Sequence, residues 1–506
     1  MSLEKLVSYR TVSSKPEYAQ DCRRGASYLR NLFKQFGAET DLFNTENHRN
    51  PVVFARFRSR CQSKARGKTI LFYGHYDVVA AEDWEQRWQA NPFEMQGLDG
   101  YLYGRGVSDN KGPIVAAIYA VADLVAGKKL GSEIIFVIEG EEESGSRGFQ
   151  QTIKQNKHII GDVDWILLAN SYWLNDDIPC LTYGLRGVVR ASIEVASERP
   201  DLHSGVDGSQ LVSEALKDLI ALLAGLTGAN GEVKITGFYD NIPPMSRSER
   251  QRYRDISEIL LEHDPDLGDA KNLEDSFKAR WQQPSLTIHR IKNSGPTNTT
   301  IISRAATADL SLRLVPNQTT AEIEETLLTA LVKAFDKLNS ANELTIKFEH
   351  RAEPWLGDPG NEIFQMLEKA VVEVWGLTGK ERRKSIPSGR RMSKDLTNGL
   401  KSPRLAPATS STLSNTHSSP SQPTMDTKNK PSNKNKPLPQ KPLYIREGGS
   451  IPAIRFLEQE FSAPAAHLPC GQASDSAHLD NERLRLLNLY NSRKIFRKVF
   501  EELPFR

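Results

Sequence analysis

Asp109 stands in the run Leu102-Tyr-Gly-Arg-Gly-Val-Ser-Asp-Asn-Lys-Gly112, where glycines flank a single acid and a stretch of small apolar residues follows. Glycine lets a backbone turn tightly and approach a ligand closely, so an acid held here is placed for chemistry. Upstream, the strand-like Thr69–Tyr73 runs into His75, with Asp77 two residues beyond. Downstream, the strand-like Ile134–Ile138 runs into Glu141, Glu142 and Glu143, and a late His478 sits in Asp475-Ser-Ala-His-Leu-Asp-Asn-Glu482. His75, Asp109, Glu143 and His478 offer the nitrogen and oxygen ligands that zinc and manganese accept. One carboxylate bridging two ions, with a His and another acid for each, would form a two-metal hydrolytic site. Glu142, beside a ligand, could then serve as general base, and Asp77 could fix the imidazole of His75 from behind. Taken singly, each residue has a plainer reading: a satisfied histidine, a solvated acidic turn. The repeated order, apolar run and then ligand, raises the set above its parts.

Such ligands must project from one edge of a parallel sheet. From Val52 to about Leu168 strand and helix patterns alternate, which predicts an α/β layer with a mostly parallel sheet and helices on both faces. After Gly184 the texture changes to alternating strands (Val188–Val195, Ala308–Leu314, Leu344–Phe348) and two helices (Leu211–Leu226, Thr320–Phe335). These predict a smaller α+β domain inserted in the first. The expected division is therefore 1–184 and 354–506 for the larger domain and 185–353 for the insertion. A C-terminal helix is expected from about Glu482.

The 506 residues carry a formal net charge of +3, unevenly spread. Residues 380–441 hold 14 Lys and Arg against 3 Asp and Glu, which leaves the rest of the chain with 52 bases and 60 acids. An acidic body argues against a dedicated nucleic-acid binder. Between Lys401 and Pro442 lie eight prolines and no Phe, Trp or Tyr, so this basic insert is expected to be disordered; a nucleic-acid-binding tail is the alternative. The four cysteines form no C-x-x-C pair, the first residues show no apolar leader, and no apolar run is long enough to span a bilayer. The expectation is a cytoplasmic protein with no membrane contact.

The succession Gly74-His75-x-Asp77, Gly104-Arg-Gly-x-x-Asp109-x-Lys-Gly112, Glu139-Gly-x-Glu142-Glu143-x-Gly145 and Ala477-His478-x-x-Asn481-Glu482 resembles the di-zinc metallopeptidases. That group includes aminoacylases, glutamate carboxypeptidases and carnosinase-type cytosolic dipeptidases. The resemblance implies a zinc-binding α/β domain interrupted by a lid and dimerisation domain, with manganese the alternative metal. It implies metal ligation by His75, Asp109, Glu143, His478 and the residue at position 170, with Glu142 as base and Asp77 as orienting acid. Within the dipeptidase branch, His203 resembles a lid histidine that reaches the partner subunit of a homodimer and polarises the scissile carbonyl. Thr300 and Arg313 resemble contacts to the substrate carboxylate, and Ser450 resembles the contact position of a substrate-binding loop, Arg446–Pro452.

One position departs. The family pattern has an acid where this chain has Asn170, in Ala169-Asn-Ser-Tyr-Trp173. A neutral amide is a poor zinc ligand beside a carboxylate, so the second metal site is expected to be weakened. This departure is similar to the peptidase-like subunit of a fungal glutathione-degrading complex, which works with a glutamine-amidotransferase-type partner. Two readings follow: a hydrolase of a dipeptide, glutathione or similar small amide, or a weakened metallopeptidase-fold subunit that completes such a partner.

Overall fold

The computed structural model describes residues 2–58, 68–377 and 439–501. Nearly all of the basic segment 380–441 lies outside the described residues. The larger body is built on a nine-stranded sheet whose centre is parallel. Glu133–Glu139, Thr69–His75, Trp165–Leu168 and Ala465–His467 lie side by side in that order and run in one direction. One outer region is antiparallel, Glu39–Phe43 and Val52–Phe57; the other is mixed, with Cys180–Leu185 antiparallel to Ala465–His467 and Trp355–Leu356 but parallel to Leu443–Glu447. Thr69–His75 is buried at every residue, which is why its sequence is a continuous apolar run and not an alternation. Four adjacent parallel strands thus deliver their carboxyl ends to one edge.

The helix Lys111–Ala126 is apolar almost all round because it is covered twice, by the sheet and by the C-terminal helix Leu486–Glu501. That last helix begins at Leu486, four residues later than the pattern from Glu482 predicts. Arg483–Arg485 is taken instead as a short strand pairing Tyr101–Tyr103.

The smaller body is a four-stranded antiparallel sheet in the order Ser285–Asn293, Ala305–Leu314, Gly187–Ala196, Glu343–Ala352. Helices Ala215–Leu226 and Thr320–Leu338 pack on it and enclose a separate apolar core. Thr319 and Glu322 form a reciprocal capping box that fixes the start of the second helix. The first helix starts at Ala215, not Leu211; Leu211 itself is exposed in the preceding turn. Sequence patterning did not separate out the helices Arg247–His263 and Ala270–Gln282. Tyr253, Ile256, Leu260, Phe277 and Trp281 bury against the larger body, although the chain reaches them from within the smaller one. Among the described residues no helix is long and apolar enough to cross a membrane.

Candidate metal centre

Three of the four parallel strand ends supply the centre directly. His75 closes Thr69–His75, Glu142 and Glu143 follow Glu133–Glu139 in a single 3-10 turn, and Asn170 follows Trp165–Leu168. Asp109 enters from the glycine loop before the Lys111–Ala126 helix. His478 enters on the loop after Ala465–His467, with a left-handed backbone (φ 62°).

His75 Nε2 lies 3.1 Å from Asp109 Oδ1, and His478 Nε2 lies 3.0 Å from Asp109 Oδ2 and 3.1 Å from Glu143 Oε2. Ligand atoms of His75, Asp109 and Glu143 all fall within 4.8 Å of one another. Asp109 therefore presents one oxygen to each histidine, as a bridging carboxylate must. Glu143 Oε1 is buried without a partner.

Burial works to raise Asp109, but the hydrogen bonds from His478 and His75 outweigh it and hold that carboxyl below its usual range; the acids beside it shift the other way. Burial, then the neighbouring carboxylates, push Glu142 and Glu143 above the usual acid range, with His75 opposing at both and the His478 hydrogen bond also opposing at Glu143. Hydrogen bonds that His478 donates to Asp109 and Glu143 raise it to about 11. Burial resists protonation of His75, but Glu142, Asp109 and Asp77 together prevail and raise it. A set of buried carboxylates short of positive charge, with two imidazoles among them, is the donor set of a divalent cation. The residues fit the metal.

A family comparison agrees with that geometry. Residues 71–398 match the model of peptidase family M20/M25/M40. The chain belongs to that family. It is 36% identical to the Saccharomyces cerevisiae "Probable di- and tripeptidase DUG2" over 99% of this chain and 50% of that protein, so it spans about half of that relative's length. It is 30% identical to the Candida albicans "Cys-Gly metallodipeptidase DUG1" over 88% of this chain and 79% of that one. The solved structure of dipeptidase Dug1p from Saccharomyces cerevisiae superposes with a TM-score of 0.75 at 26% identity, covering 99% and 95% of the two chains. Human carnosine dipeptidase 1 superposes with a TM-score of 0.74 at 25% identity, over 99% and 94%.

The other anticipated residues of this M20 chain divide into two groups. Asp77 is fully buried and holds the Glu142–Glu143 turn from behind: its Oδ1 accepts from the Glu142 N–H (3.2 Å) and its Oδ2 from the Glu143 N–H (3.0 Å). It also lies 3.5 Å from His75 Nδ1, whose nearer partner is the Asp77 carbonyl at 3.2 Å. Arg313 donates to Ser450 Oγ (3.4 Å), which joins the smaller body to the loop after Leu443–Glu447. His203 and Thr300, by contrast, are exposed on a two-stranded ribbon, Leu202–His203 against Ile301–Ile302. Their own contacts are local: His203 Nδ1 accepts from Gly205 N, and Thr300 Oγ1 donates to Asn298.

Asn170 is turned away from a ligand's pose. Its Oδ1 accepts from the Ser171 N–H (2.5 Å), and its Nδ2 faces His75 Nε2 at 3.5 Å. The acids downstream do not replace it. Asp176 accepts from Ser474 N (3.0 Å), and Asp177 faces Arg485. Glu447 is nearer, hydrogen-bonded to Ser171 and to the Tyr172 N–H, and burial pushes its carboxyl up to about 7.

Several residues that shape the centre carried no assigned role in the sequence. Asn110 ties two strand ends together, accepting from His75 N (3.3 Å) and donating to the carbonyl of Ala169. His350, on Glu343–Ala352, lies so close to the metal turn that a Cβ on Gly145 would come within 2.5 Å of its Nδ1. Burial, then Arg190 and Arg313, push His350 down to about 4, so it is neutral inside a basic wall. A histidine in an alternating strand gives no such signal before folding. Of the three consecutive acids, Glu141 turns away from the centre and, still buried, accepts from Asn50 Nδ2 (2.7 Å).

Glu139 lies beneath the turn, accepting from Tyr73 (2.6 Å) and Ser146 (3.0 Å) through one oxygen while the other is buried and unpartnered. Burial raises its carboxyl from 4.5 to about 8. A folded-state value above the unfolded one means that the folded chain binds the extra proton. This contribution is intact below 4.5 and is lost as pH rises through about 8. Glu139→Gln should therefore flatten a loss of stability across that window, worth at most about 1.4 kcal/mol per pH unit. Urea unfolding in chelator at both ends of the window is the check. An equal difference between variant and parent at both pH values would show Glu139 ionised in the fold.

Proposed function

We propose that this chain is a metal-dependent hydrolase of dipeptides or comparably small amides, acting in the degradation of glutathione and related peptides. One observation carries the reading: Asp109 joins His75 and His478 through its two oxygens, with Glu143 on His478 and Glu142 beside it. His75, Asp109, Glu143 and His478 would hold zinc, or manganese in its place. A bound divalent ion supplies Lewis acidity toward a water and toward the substrate carbonyl.

The chain's own residues do the rest. Glu142 takes a proton from the attacking water on its carboxylate and returns it to the departing amine nitrogen. Its raised affinity for a proton suits a group that must hold one between the two steps. Asp77 fixes the Glu142–Glu143 turn and the ring of His75. Arg313, beside Ser450, is shaped to receive a terminal carboxylate, a role in which a planar guanidinium excels. Thr300 serves with Arg313 as a contact to that carboxylate, and His203 joins the set from the partner subunit of a homodimer.

A second reading has its own support. Position 170 holds a neutral amide, with its Nδ2 facing His75 and its Oδ1 accepting from the Ser171 N–H. The chain would then be a weakened peptidase-fold subunit acting with a glutamine-amidotransferase-type protein on glutathione. Hydrolysis of Cys-Gly by the purified chain separates the two. The hydrolase reading expects activity that chelation abolishes and added zinc or manganese restores. A fully metal-loaded chain inert toward Cys-Gly and other dipeptides, yet required by such a partner, would establish the second reading.

A further inference from the structure

We infer that Glu482 is a positioning residue of the metal centre: its single carboxylate sets the loop that carries Asp109 in register with the loop that carries His478. This rests on the metal-centre reading above.

The side chain is 1% exposed and is surrounded by donors. Its Oε1 accepts from Ser108 N (3.0 Å), Ser108 Oγ (2.9 Å) and Asp109 N (3.1 Å). Its Oε2 accepts from Arg105 Nη1 and Gly106 N, both at 2.8 Å. The Glu482 carbonyl accepts from Gly104 N (3.0 Å). Every residue from Gly104 to Asp109 is bound to this one residue except Val107, whose N–H turns back to Gly104.

Glu482 is at the same time four residues from His478. That intervening segment is pinned from outside: Asn481 accepts from Gln89 N and donates to the Arg87 carbonyl, and Asp480 pairs with Arg87. The loops bearing Asp109 and His478 meet through Glu482, and their ligands meet 3.0 Å apart at the centre. Metal ligation tolerates errors of about 0.2 Å, so a contact that fixes the approach of two ligands acts on the metal.

The chemistry requires an acid. All five side-chain contacts come from donors, and four of them are neutral, so the charge is offset by Arg105 alone. That guanidinium lies over the ring of Trp88 at 5.0 Å. A glutamine of the same shape would turn an NH₂ group against Arg105 and Gly106, or against Ser108 and Asp109.

Zinc titrated into the metal-free chain, with affinity read by competition against a chelator, is the test. Glu482→Gln should weaken the tight zinc by about 10–100-fold, the range for partners that orient ligands. Arg56→Gln instead breaks a largely buried ion pair to Glu133 (3.0 Å) at the opposite end of the sheet and touches neither of the two loops. It should lower the melting temperature of the metal-free chain and leave zinc affinity unchanged. Equal weakening in both variants, or parental affinity in Glu482→Gln, overturns the inference. If Glu482→Gln does not fold, Ser108→Ala removes one of the five contacts. Weaker zinc at an unchanged metal-free melting temperature then supports the role, and unchanged zinc overturns it. A parent chain that binds no zinc would instead remove the metal reading itself. A parent that binds it, with indifferent variants, removes only the role of Glu482.

Discussion

Glu142→Gln in the metal-loaded chain should lower kcat by about 10²–10⁴-fold while metal content and fold stay as they were. The substitution keeps volume and backbone, so the Glu142 N–H still donates to Asp77. Glu142 is not among the side chains that contact both histidines, whereas Asp109 is, so the metal keeps its ligands. What disappears is the only function an amide cannot perform, holding a proton between water and leaving group. Because that function is exercised in the transition state, KM should move little. Steady-state kinetics on Cys-Gly alongside metal analysis of the same sample is the measurement. Parental turnover in a fully loaded variant would take Glu142 out of the reaction.

Asn170→Asp should raise the number of tightly held metals from one per chain toward two. The centre formed by Asp109, Glu143 and His478 has three good ligands and needs nothing more. The other has His75 and one oxygen of Asp109, beside an amide whose oxygen is already engaged by Ser171. A carboxylate at position 170 restores an anion where Nδ2 now faces His75 at 3.5 Å. If hydrolysis uses both ions, activity on dipeptides should rise with the second metal. A subunit whose role is to complete a partner would gain the metal and no activity. Equilibrium dialysis followed by metal analysis decides the first point. Two firmly bound metals in the unmodified chain would sink the argument and point to Asn170 or Glu447 as a ligand.

Most of the centre was legible in the sequence because His75, Asp109 and Glu143 each follow a pattern with a strong local cause, which His478, in a loop well past its strand, does not. Thr69–Tyr73 and Ile134–Ile138 are too apolar to be anything but buried strands, and the polar residue that ends such a strand must emerge at its edge. Glycines at 104 and 106, both with positive φ, mark the turn that brings Asp109 back. The alternation in Val188–Val195 and Ala308–Leu314 likewise predicts a one-sided sheet, and both lie in the sheet of the smaller body.

Other features depend on contacts between distant segments. Glu482 and Ser108 are 374 residues apart, and nothing in either neighbourhood announces that one carboxylate will accept five hydrogen bonds from the other. His350 reads as one polar residue in an alternating strand until the smaller body lays it against Gly145. Helices Arg247–His263 and Ala270–Gln282 have amphipathic faces, but periodicity states only that a face is covered. Which core covers it was settled by the fold, in favour of the larger body. Glu141, Glu142 and Glu143 are chemically equal in the sequence. The 3-10 turn after the strand rotates them apart, one to Asn50, one beside the ligands and one onto His478. The sequence by itself determined which residue types reach the carboxyl edge of the sheet, because burial and turn formation are local demands. Tertiary structure alone decided which of them face one another and with what charge, because those are sums over neighbours that chain order does not contain.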